Sequence, residues 1–60
     1  MKTEPNIADP DAFYAAWTAA QQDMNESESA DYNARLVLLL ANQIGDNTIL
    51  EACVQAAKNP

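Results

Sequence analysis

Histidine is missing from this chain, cysteine and glycine occur once each, and three lysines and arginines stand against nine aspartates and glutamates. Each scarcity closes off a class of chemistry. Without histidine there is no Ser–His or Cys–His pair to activate a nucleophile. A single cysteine, Cys53, excludes an intramolecular disulfide and leaves too few ligands for a zinc site. The lone glycine, Gly45, cannot build a phosphate-cradling loop. A net charge of −6 repels nucleic-acid backbones and anionic lipid headgroups. No apolar run approaches the ~20 residues of a membrane-spanning helix, and the opening "MKTEPNIADPDAF" lacks the apolar core of a secretory signal. These absences predict a cytoplasmic, non-enzymatic protein with no metal or cofactor and no nucleic-acid or membrane partner.

What the chain does have is apolar residues, 48% of its 60 positions. An unfolded chain of 6.5 kDa exposes about 9,400 Å², of which a domain this size buries roughly 60%. If ~3,500 Å² of that is apolar, burial contributes about 90 kcal/mol at ~25 cal/mol per Å². Ordering sixty residues costs about the same at ~1.5 kcal/mol each. Stability therefore sits near zero, and with disulfides and metals excluded, association is the remaining source of it.

The pattern predicts an all-α fold: a small three-helix bundle, an antiparallel helical hairpin plus a third helix, over residues 9–60. Residues 1–8, with Pro5 and no periodicity, read as a short extended N-terminal arm. In "DPDAF", Asp9 caps, Pro10 suits the first helical position and Asp11 complements the helix dipole, starting a helix over 10–23. Its apolar stripe is Phe13, Trp17, Ala20 and Met24. Asn25, with Glu28 three residues on, forms a capping box for a helix over 26–43 that ends at Gly45. Asp46 or Asn47 then caps a helix over 47–58, with Ile49, Leu50, Cys53, Ala56 and Ala57 on one face.

The middle helix carries more apolar surface than one face needs. Leu36–Ala41 is an unbroken apolar run, and at about 100° per residue the apolar arc exceeds ~200°, about twice that of an amphipathic surface helix. It divides into a bulky seam (Tyr32, Leu36, Leu39, Leu40) and a smooth seam of Ala30, Ala34 and Ala41 edged by Val37 and Leu38. Either the two flanking helices cover both seams, or the smooth seam docks on another chain. Arg35, four residues after Asp31, and Asn42, two turns further along the same polar arc, read either as a surface ion pair beside a solvated amide or as groups that hydrogen-bond a partner, since arginine is favoured in interfaces. Tyr14, about 100° round the first helix from Phe13, is a further partner-facing candidate. The bulky seam, with Trp17, is expected to carry the fold.

Other candidates carry less. Cys53, on the apolar face of its helix, reads as a buried, inert thiol. "ESESAD" lacks the glycine and ligand spacing of a calcium loop and reads as a solvated helix start. "LANQIGDNTILEACVQAA" has a helix-turn-helix outline, but its second helix offers Glu51, Gln55 and a terminal Lys58 on an acidic chain, which disfavours DNA.

"NIADPDAFYAAW" followed by "ESADYNARLVLLLANQIGD" resembles a family of short bacterial proteins known only as domain of unknown function 2783. The family pattern comprises an ADPD-F start, an N-A-R-L-x-L-L-L-A-N core and a closing I-G-D, and the likeness covers about residues 6–57. This sequence departs from the pattern at Gln43, where the family has histidine. Members are often encoded beside flavin-dependent aromatic hydroxylases and ring-degradation enzymes, so the resemblance implies an accessory role in such a pathway, with a flavin-dependent hydroxylase as a partner.

Two functions are therefore expected. One is a non-enzymatic interaction protein, a subunit or helper of a larger enzyme or a self-associating chain. The alternative is a binder or carrier of a small apolar ligand held among the helices near Trp17 and Tyr32.

Overall fold

The computed structural model of the chain describes residues 1–59 and contains three helices: α1 (Pro10–Ala20), α2 (Glu26–Ile44) and α3 (Asn47–Ala56). Each begins where the sequence places its cap. The Asp9 carboxylate accepts from the Ala12 N–H at 3.0 Å. Asn25 and Glu28 close a reciprocal box, Glu28 N–H to Asn25 Oδ1 at 2.9 Å and Asn25 N–H to Glu28 Oε1 at 3.0 Å. Asp46 Oδ1 accepts from Thr48 and Ile49 N–H at 2.9 and 3.3 Å. These bonds satisfy amides that the first turn of a helix leaves without partners.

The helix ends differ slightly from expectation. α1 stops at Ala20 rather than residue 23, because the Gln21 and Gln22 amides bond three residues back, to Thr18 and Ala19 carbonyls at 3.1 and 3.2 Å. That tighter turn ends the α-helical ladder. α3 ends at Ala56 rather than residue 58 in the same manner, with Lys58 and Asn59 bonding back to Gln55 and Ala56. α2 runs one residue further than expected, to Ile44. Gly45 then takes the left-handed conformation at φ +73° and donates to the Ala41 carbonyl at 2.9 Å, a conformation cheap only without a Cβ.

The interior is thin. Among the described residues none is buried, and the half-buried ones include Trp17, Met24, Tyr32, Asn33, Leu36, Ala41, Ile49 and Leu50. The chain exposes 5314 Å², against about 3,800 Å² for a compact monomer of its mass. Its radius of gyration is 13.0 Å, against roughly 10.4 Å for a compact 60-residue domain. The backbones of α2 and α3 pack together, while α1 joins α2 through side chains. The bundle is therefore open on one side. The N-terminal arm folds back on the far end: Met1, Lys2 and Asn6 line a concavity of about 330 Å³ with Ile44, Ile49 and Cys53.

Two side chains expected inside are not buried. Cys53 is exposed, because the open bundle brings no third helix over the α3 face that carries it, and its thiol lies 3.4 Å from the Met1 thioether. Trp17 is half-buried rather than enclosed, since only α2 meets it.

Candidate functional site

Side chains, not backbone packing, fix the angle between α1 and α2. The Trp17 indole N–H donates to Asn33 Oδ1 at 2.8 Å. The Asn33 amide nitrogen donates to Gln21 Oε1 at 3.0 Å and to the Ser29 carbonyl at 2.9 Å. Gln21 closes the circuit by donating from Nε2 to the Trp17 carbonyl at 3.1 Å. Asn33 thus uses both amide hydrogens and its oxygen, leaving no unmet polar demand on a half-apolar face. The ring of Trp17 also stacks with Phe13, centroids 6.5 Å apart, and meets the edge of Tyr14 at 5.8 Å.

This clasp holds α1 as one wall of a groove whose floor is α2 and whose other wall is α3. On the α1 side, a concavity of about 330 Å³ is lined by Phe13, Trp17, Asn33, Leu36, Val37 and Leu40. On the α3 side, one of about 250 Å³ is lined by Val37, Leu40, Ala41, Ile44, Leu50, Cys53 and Val54. Val37 and Leu40 belong to both, so the two form one continuous apolar surface. Asn33 is its one amide and no charged side chain lines it. Its rims stand open to water, Phe13 at 44%, Leu40 at 45% and Val54 at 60% exposure.

The residues singled out from the sequence distribute themselves unevenly over this surface. Val37 and Ala41 lie in the groove. Ala30 and Ala34 are exposed on α2; Ala30 stands seven residues before Val37, nearly in line with it on the helix. Leu38, the most exposed large apolar residue of α2 at 71%, is not among the groove-lining residues, and neither is Leu39. Arg35 and Asn42 are exposed on the polar arc and do not line the groove. Tyr14 packs its edge on Trp17 and is otherwise exposed. Leu36 and Leu40 of the bulky seam line the groove with Val37, Ala41 and Ile44, while Tyr32, half-buried, does not.

Sequence reasoning does not reach Asn33, Leu50 or Val54 as site residues. For Asn33 there is a signal: it is a polar residue within the apolar arc of α2, one turn after Ser29, and an indole elsewhere in the chain needs an acceptor.

Among the described residues no cluster of three or more Asp, Glu, Cys and His side chains stands close enough to hold a metal ion, and no helix is long and apolar enough to cross a membrane. The groove offers van der Waals surface and one fully engaged amide.

The chain belongs to the family described as protein of unknown function DUF2783, whose model matches residues 1–59. No curated protein and no solved structure matches it.

Proposed function

We propose that this member of the DUF2783 family is a non-enzymatic cytoplasmic interaction protein that docks apolar protein surface in the groove between α1 and α3. The single observation behind this reading is a continuous, uncharged groove left open by a chain that buries too little of itself. Contiguous apolar patches on soluble proteins mark interaction sites. The charges stand outside it: the acids of α2, Glu26, Glu28 and Asp31, all lie in its first half, while Val37 to Ile44 carry none. The family resemblance adds one specific form, in which the docked protein is a flavin-dependent aromatic hydroxylase.

A protein occupant suits the groove better than a small apolar ligand. Ligand sites enclose most of their guest, whereas this groove is open along its length, and Tyr32 does not line it beside Trp17.

The test compares tagged wild-type chain with Leu40→Glu, expressed in the native host and analysed by size-exclusion chromatography after gentle lysis. The expected result is that wild type elutes in an assembly and Leu40→Glu does not. Identical elution of the two as free chain would remove the docking reading. A hydroxylase partner is checked by flavin absorbance co-eluting with the wild-type assembly.

A further inference from the structure

We infer that the N-terminal arm, residues 1–8, is a displaceable strap seated across the Ile44–Cys53 end of the groove, where it competes with whatever occupies that end. The seating stands by itself; the competition rests on the docking reading above and adds a control to it.

Two prolines set the path of the arm. Pro10 disfavours helical backbone at the residue before it, and Asp9 has φ −141° and ψ 85°, outside the helical region. The chain ahead of α1 therefore leaves the helix axis instead of extending it. Pro5 acts on Glu4 in the same way, and residues 1–9 form no helix or strand.

The arm lands where the groove ends. Met1, Lys2 and Asn6 face Ile44, Ile49 and Cys53 across a concavity of about 330 Å³. Ile44 and Cys53 also line the groove, with Leu40 and Val54. An occupant that runs the length of the groove thus meets the same two side chains as the arm. The Met1 thioether lies 3.4 Å from the Cys53 thiol, 52 residues away in the chain.

The hold is weak, as a strap requires. A thiol is a poor donor and a thioether a poor acceptor. The hydrogen bond from Lys2 Nζ to Asn6 Oδ1, at 3.4 Å, ties the arm to itself and not to the helices. Residues 1–8 are exposed throughout, and so are Ile44 and Cys53 beneath them. A terminus held this lightly opens at little cost in free energy. An apolar occupant gains the surface of Ile44 that the arm leaves uncovered, so it displaces the arm.

Seating is tested in the full chain by cysteine pairing. Asn6→Cys and Ile7→Cys close loops to Cys53 of nearly equal length, so an unseated arm forms the two disulfides at nearly equal rates. Asn6 lines the concavity with Cys53, whereas Ile7 is not among its lining residues. A seated arm should close the Asn6→Cys disulfide at least about five times faster than loop length alone allows, with Ile7→Cys as the reference and mass spectrometry as the readout. Equal rates, or no closure by Asn6→Cys, overturn the seating.

Competition is read with Nile red, a neutral apolar dye, on the Asn6→Cys chain with its disulfide closed or reduced. The closed form should bind the dye about three- to tenfold more weakly, because pinning removes the open population. Circular dichroism should show equal helix content in both forms. The difference should vanish in a Leu40→Glu background; one that persists there lies outside the groove and overturns the competition. Equal binding by the two forms overturns it as well, and tighter binding by the closed form would make the arm a wall of a small-ligand site instead. The docking reading fails separately, by the elution of wild type and Leu40→Glu as free chain, and the disulfide rates do not depend on it.

Discussion

The indole N–H of Trp17 and the side-chain oxygen of Asn33, sixteen residues apart, meet at 2.8 Å. This bond and the Asn33–Gln21 contact of the same amide tie α1 and its C-cap to α2, while the amide's second hydrogen is held by the Ser29 carbonyl within α2. Phe13, one turn before Trp17, lines the α1 side of the groove with it.

Replacing Asn33 with leucine should loosen α1. The substitution leaves the half-buried Trp17 indole without its acceptor, a loss of about 1–3 kcal/mol. Urea denaturation should show that loss, and hydrogen exchange should show α1 amides opening faster than those of α3. Equal exchange in both helices would mean the clasp does not position α1.

Gly45→Ala should destabilise the chain by about 1 kcal/mol through backbone conformation alone. The residue has φ +73°, and an added Cβ would meet only the Asn42 carbonyl oxygen, at an ordinary 3.9 Å. Thermal unfolding of the variant should shift down without loss of helix content at low temperature. An unchanged midpoint would show that the α2–α3 connection readily adopts another turn.

Asn25→Ala removes one half of the capping box and strands the Glu28 amide. The expected cost is about 1 kcal/mol, with Asn25→Ser close to wild type, since serine also caps. Circular dichroism melts of the two variants, run side by side, separate a lost cap from a lost packing contact: the latter would lower both.

Caps, the Gly45 stop and helix number were legible because they depend on neighbours in the chain, whereas the ends of α1 and α3, which carry no such stop residue, fell two to three residues short of expectation. Asp9, Asn25, Asp46 and Gly45 each act on an amide or carbonyl within four residues, so local rules suffice. The division of α2 into inner and outer faces was not legible. Leu36 to Leu40 are all large and apolar, and nothing in their identity says which ones the flanking helices reach. Cys53 shows the same limit, since its place on an apolar stripe says which face it shares but not whether anything covers that face.

From the sequence alone follow three capped helices, an apolar excess on the middle one, and an acidic chain without histidine. Hydrogen-bonding chemistry and helical periodicity act over a few residues, so they need no knowledge of the fold. The tertiary structure decided that Asn33 ties α1 to α2 and that Val37, Leu40 and Ile44 share one groove. It also left Cys53 and the groove rims exposed. Those outcomes depend on the angles between helices, which are set by contacts between residues distant in the chain.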